Sequence, residues 1–344
     1  MEMNKKIILF LLFLIILFSL ANIWVVQIYD VSHFPIHRSL TFDEEMRTDY
    51  RFKIEGKALQ IVAIGDSSIR ELDEEIFSES IGMKSAIFSA PGSGSAYWYL
   101  FIRNQIIPAR SDQDYVILFF RSSTLTAPDY LVKGHYFVRL EEIAGRQDKD
   151  VYDLAINGLK NRWVKFAEKY IPLFTFRSEI YFNTVQQIRY YLPEVVLDQD
   201  VLSVNQAYDE VFDDVQINDL MWEEFLQNVE STLYSPAALD FSARVERSFL
   251  PGMIKDLAKS GATPVFVRVK NKEHAEGQTD SDELIEYLED LKKYLEQNGC
   301  IYLDLAGVEE LTVNMYRDSI HINPENAQKV TEIIAEEIKQ SIQP

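Results

Sequence analysis

Five short apolar runs constrain this chain more than any other feature, because each ends in glycine or polar residues and helix-like segments lie between them. They are ALQIVAIG (58–65), KSAIFSAPG (84–92), DYVILFFRSS (114–123), TPVFVRVKN (263–271) and CIYLDL (300–305). A short, nearly unbroken apolar run is the pattern of a strand buried on both faces, and strands alternating with helices build a parallel sheet. The segments IRELDEEIFSESIG (69–82), SAYWYLFIRNQIIPA (95–109) and DELIEYLEDLKKYLEQNG (282–299) read as helices. RDSIHINPENAQKVTEIIAEEIKQSI (317–342) reads as a loop feeding a closing helix. The expected class is therefore α/β with a five-stranded parallel sheet. Residues 125–240 interrupt the alternation with aromatics and amphipathic stretches such as NGLKNRWVKFAEKYI, and read as a helical lid or cap inserted between strands three and four.

The amino terminus carries a different signal. Residues 7–26, IILFLLFLIILFSLANIWVV, contain no charged side chain and follow Lys5 and Lys6. Twenty residues at about 1.5 Å each span the roughly 30 Å of a bilayer's hydrocarbon core. The basic pair keeps the amino terminus cytoplasmic and exports the rest. Ser19-Leu20-Ala21 also resembles a signal-peptide cleavage site, but the apolar run continues past it through Trp24 to Val26, which favours an uncleaved anchor. The expected division is an anchor at 1–29, a connecting stem at 30–56 containing His33, Pro35 and His37, and a catalytic domain at 57–344. The formal charge of −20 over 344 residues argues against wrapping nucleic acid, whose phosphates it would repel. Cys300, the single cysteine, rules out an internal disulfide and a zinc–thiolate cluster, and its apolar surroundings read as core.

IVAIGDSSIRE (61–71) poses the chemical question, because a buried strand empties into glycine, a carboxylate and two hydroxyls. Asp66 or Ser67 would serve as the N-cap of an ordinary strand-to-helix turn. Alternatively, Ser67 is a nucleophile at the carboxyl end of a strand, where ligands of open α/β sheets bind. A serine nucleophile needs a base, and His321 lies in the loop after the last strand, three residues beyond Asp318. A carboxylate that accepts the imidazole Nδ1–H fixes the tautomer in which Nε2 faces the serine. Pro324 then opens the closing helix.

Gly-Asp-Ser after the first strand, with Asp-x-x-His and HINPENAQKV before the last helix, resembles the SGNH (GDSL-like) hydrolase superfamily. The resemblance covers residues 58–124 and 262–341, and implies a three-layer fold with Ser67, His321 and Asp318 as its triad. It implies further that Asp66 shapes the turn and that an oxyanion hole is built from the Ser67 N–H and from Gly92 or Gly94 in SAPGSGS. Ser123 stands where the family carries an asparagine, so the third donor departs from the pattern. The anchor, the insertion and this departure are similar to membrane-anchored SGNH-like proteins of cell-envelope polysaccharide O-acylation, of the alginate-acetylation and teichoic-acid D-alanylation type. That likeness implies an exported esterase or O-acyltransferase acting on a polysaccharide beside a membrane-bound O-acyltransferase partner, without cofactor or metal. The competing reading is a catalytically silent adaptor with the same fold.

The remaining candidates have bland alternatives. Arg121 would direct charge toward the site or pack on the strand edge. Arg268 and Lys270, at the end of the fourth strand, would bind an anionic substrate or form salt bridges. His135 and His274 read as structural, and GSGSAYW lacks the lysine and spacing of a phosphate loop. Trp163, Tyr170, Phe174 and Tyr190 would stack on sugars or pack within the cap.

Overall fold

The structure, a computed structural model, describes residues 2–28, 50–51, 53–55, 58–109, 113–132, 135–145, 147–157, 162–177, 180, 184 and 231–343. The chain forms two compact units, one of Met1–His33 with Leu159–Asn228 and one of Phe34–Gly158 with Val229–Pro344.

In the first unit, α1 (Glu2–Ile28) contains a segment, Lys5–Ile28, long and apolar enough to cross a membrane. Its apolar side chains from Ile7 to Phe18 are exposed, so the helix is no core element. Residues 29–49 and half of the expected cap, including Tyr190, lie outside the described residues.

The second unit is built on β1 (Ile61–Gly65), α2 (Glu74–Ile81), β2 (Ser85–Ser89), α3 (Ser95–Phe101), β3 (Tyr115–Phe120) and α4 (His135–Ile143). Residues 162–175 of the first unit hold α5 (Arg162–Tyr170) and α6 (Pro172–Thr175). The second unit then resumes with α7 (Leu250–Ser260), β4 (Thr263–Arg268), α8 (Asp282–Gln297), β5 (Ile301–Asp304) and α9 (Ala327–Ile342). The five strands pair in parallel in the order β2-β1-β3-β4-β5. Strand order reverses between β1 and β3, which makes their carboxyl ends the crevice where such sheets bind ligands.

Alternation along the strands explains why both faces are apolar. Val62, Ile64, Val116, Leu118 and Phe266 join one buried cluster with residues of α3, α7 and α8. Ile61, Ala63, Ile117, Phe119 and Val265 join a second with residues of α2 and α9. Helices thus bury both faces.

Three local expectations change. Pro324 opens a 3-10 turn, Pro324–Asn326, that precedes α9 rather than the helix itself. The helix expected over 69–82 starts only at Glu74: Ile69 ends a 3-10 turn, Ser67–Ile69, and Asp73 accepts from the N–H groups of Glu75 and Ile76 to start α2. Part of the expected cap belongs to the sheet's own core: Val132, Leu140, Ile143, Val151 and Leu239 all sit in the first apolar cluster. Cys300 is buried as expected, and burial pushes its thiol up to about 12, which keeps it protonated and inert.

Candidate active site

The turn after β1 shows which residue of Gly-Asp-Ser is its cap. Asp66 is the N-cap: its backbone is extended, and its Oδ1 accepts from the Ser68 N–H at 2.8 Å. Ser67 is the first residue of the 3-10 turn, so its hydroxyl takes no part in capping. Gly65 permits this tight exit, since a Cβ there would lie 2.9 Å from Ile69 Cδ1 and 3.0 Å from Phe119 Cβ. The Ser89 hydroxyl donates to the Asp66 carbonyl at 3.0 Å and ties the ends of β1 and β2 together.

The loop before α9 brings His321 to Ser67. Tyr316 and Ile322 form an antiparallel bridge, and the Arg317 N–H donates to the His321 carbonyl at 2.8 Å, closing residues 317–321 into a narrow loop. Asp318 Oδ1 accepts from the N–H groups of Ile320 at 3.0 Å and His321 at 2.9 Å. A carboxylate so held meets the imidazole: His321 Nδ1 lies 2.8 Å from Asp318 Oδ2. The other ring nitrogen, Nε2, lies 2.9 Å from Ser67 Oγ. With Nδ1–H donating to Asp318, Nε2 is the acceptor of the Ser67 proton, the tautomer a general base requires. Partial burial works to raise the Asp318 carboxyl, yet the two N–H donors and the imidazole outweigh it and hold the group below the ordinary aspartate value. Asp318 therefore stays ionised beside the ring. Ser67, His321 and Asp318, which are 254 residues apart at their widest hydrogen bond, form one continuous chain.

Asp66 and Arg121 form a largely buried ion pair next to Ser67 in the chain. Asp66 is 4% exposed, and its Oδ2 accepts from Arg121 Nε at 3.0 Å. Burial alone would raise this carboxyl, but the Arg121 charge and the Ser68 hydrogen bonds reverse the shift and hold it below its ordinary value. Arg121 Nη2 also reaches the Tyr130 hydroxyl at 3.4 Å. The pair bridges the carboxyl ends of β1 and β3.

Three candidate side chains bond within the protein. Ser123 is fully buried and its Oγ donates to the Leu233 carbonyl at 2.6 Å, so its hydroxyl hydrogen is already engaged away from Ser67. Arg268 is 4% exposed and its guanidinium bonds Asp304 at 3.0 Å and Asp280 at 2.7 Å, with His274 Nε2 at 3.3 Å. It is the hub of an internal set of ion pairs, the salt-bridge alternative that the sequence left open. Lys270 likewise points inward, donating to the Val308 carbonyl at 2.7 Å.

Gly92 and Gly94 lie in the turn beyond β2, whose last residue, Ser89, is in register with Gly65. Gly92 has a φ of +68°, and a Cβ there would overlap the Tyr136 ring. Gly94 precedes α3 as its N-cap residue. The feature that reading the sequence missed is the Asp66–Arg121 pair. Its only signal was an arginine closing an apolar strand.

No family model matches the chain, and no curated protein matches it.

Proposed function

We propose that the chain is an exported, membrane-anchored serine acyl-ester enzyme of the SGNH (GDSL-like) type, with the three-layer arrangement that type implies. The observation that carries this reading is the hydrogen-bonded chain from Ser67 Oγ through His321 to Asp318. Ser67 Oγ attacks the carbonyl carbon of an ester while His321 Nε2 takes its proton, and Asp318 supports the imidazolium that forms. Collapse of the tetrahedral intermediate returns that proton to the leaving oxygen and leaves the acyl group on Ser67. A second hydroxyl, from water in an esterase or from a sugar in an O-acyltransferase, then attacks the acyl carbon with His321 again as base, and the Ser67 Oγ–acyl bond breaks as Oγ recovers the proton from Nε2. The chemistry balances without a cofactor or metal. The Ser67 N–H and an N–H of Gly92 or Gly94 would stabilise the oxyanion. Resemblance to cell-envelope O-acylation proteins names a polysaccharide as acceptor and a membrane-bound O-acyltransferase as partner.

One observation favours the adaptor reading: the engaged Ser123 hydroxyl leaves no side-chain donor at the family's asparagine position. Turnover of a chromogenic acetyl ester decides between the two readings. The enzyme reading expects weak release of the chromophore that Ser67→Ala abolishes, and acetyl transfer to an added glycan if the enzyme is a transferase. Identical rates for wild type and Ser67→Ala would sink it.

A further inference from the structure

The first unit presents an aromatic stripe that the catalytic reading leaves without a task. In α5, Trp163, Phe166 and Tyr170 are three and four residues apart, so they share one helix face. They are 78%, 52% and 60% exposed, and the Phe166 and Tyr170 rings lie 4.9 Å apart. An exposed aromatic stripe of this kind marks an interaction surface rather than a core.

The neighbouring contacts identify what that surface meets. Ile171 alone separates α5 from α6, and the Leu173 N–H donates to Asn22 Oδ1 of α1 at 3.0 Å. The membrane-length segment of α1 ends at Ile28, so Asn22 lies about 9 Å inside that end at 1.5 Å per residue. That depth is the boundary between acyl chains and headgroups, where interfacial helices bury their apolar face by about 5–10 Å. The Asn22 amide is also satisfied there, since its Nδ2 donates to the Phe18 carbonyl at 2.8 Å. Tryptophan and tyrosine favour this layer because each joins an apolar ring to a polar group. The α5 sequence, RWVKFAEKY, has three basic residues against one acidic residue, in a chain whose formal charge is −20. Such local reversal of charge suits anionic headgroups.

We propose that α5 lies along the membrane–water boundary as an amphipathic helix, with Trp163, Phe166 and Tyr170 seated in the layer between acyl chains and anionic headgroups. The proposal rests on α1 crossing the membrane and is independent of the chemistry at Ser67. The α1 span and the α5 stripe would together give the first unit two attachments to one bilayer.

Labelling depth tests it on the full chain in vesicles of phosphatidylcholine and phosphatidylglycerol. An environment-sensitive fluorophore is placed on Trp163→Cys or, separately, on Phe166→Cys, in a Cys300→Ala background whose far-UV circular dichroism matches wild type. A label on Ile285→Cys, an exposed position of the other unit, is the reference. The expected result is flotation with the vesicles, stronger quenching by nitroxides near the headgroup than by nitroxides deep in the acyl chains, and iodide quenching several-fold weaker than at position 285. Labels at 163 and 166 as open to iodide as the reference would overturn the proposal. Protection from both iodide and lipid nitroxides would also overturn it, by showing a protein partner on the stripe, and so would deeper quenching exceeding shallow. A chain that does not float overturns the anchor together with the interfacial helix, whereas flotation with an iodide-open label overturns the helix alone.

Discussion

Asp66 combines two tasks at the residue scale, capping the turn that presents Ser67 and neutralising Arg121 inside the protein. Taking one partner from a buried ion pair costs about 3–5 kcal/mol, because the other charge is left without compensation. Arg121→Gln is therefore expected to lower stability by that order, read from denaturant unfolding. The pH dependence that Asp66 contributes should also change sign. In the wild type the Asp66 carboxyl is held below 3.8, so its contribution is complete above that value and is lost as pH falls through the lower folded value. Without the arginine, burial dominates and raises the carboxyl, so stability falls as pH rises through the new value. The gap between the two unfolding midpoints should widen as pH rises from about 4 to about 6; a gap that stays constant with pH would contradict the pairing. Ser123 yields a second contrast. Ser123→Asn inserts extra atoms at a fully buried position and is expected to cost about 1–3 kcal/mol without raising turnover. A gain in ester hydrolysis would return Ser123 to the oxyanion hole.

At the scale of elements, the loop that carries His321 is held by the Tyr316–Ile322 bridge and by Ile322, which is buried in the second apolar cluster. Ile322→Ala should cost about 2–5 kcal/mol and loosen the imidazole from Ser67. Calorimetry and ester turnover should fall together; unchanged turnover at lowered stability would show that the bridge does not position the base. The strands themselves were readable in the sequence, because burial on both faces leaves an unbroken apolar run. IVAIG, SAIFS, YVILFF, TPVFVR and IYLD all fall inside the segments the pattern marks. The triad candidates were readable for a different reason: each closes or follows a strand, and their spacing carries the chemistry. Pairings that depend on strand order were not readable. Asp66 meets Arg121 only because β1 and β3 are neighbours in the order 2-1-3-4-5. Likewise, Arg268 meets Asp304 because Arg268 and Asp304 are in register on β4 and β5. Ser123 meets Leu233 across 110 residues, a contact without local signal.

At the scale of the whole molecule, an apolar helix precedes a sheet body whose site is assembled from both ends of the chain. Membrane fractionation with protease added from outside should find the chain in the pellet and its body digested. A soluble product beginning near Asn22 would mean that α1 is a cleaved signal. The central claim is that Ser67 is an activated nucleophile, and covalent labelling tests it most directly. Full-length protein in membranes is treated with a fluorophosphonate, and the modified peptide is mapped by mass spectrometry. The account predicts an adduct on Ser67 that is absent in Ser67→Ala and whose rate falls by roughly 10²–10⁴ in His321→Ala. A wild-type chain that stays unlabelled, or an adduct that remains when Ser67 is replaced, would contradict it.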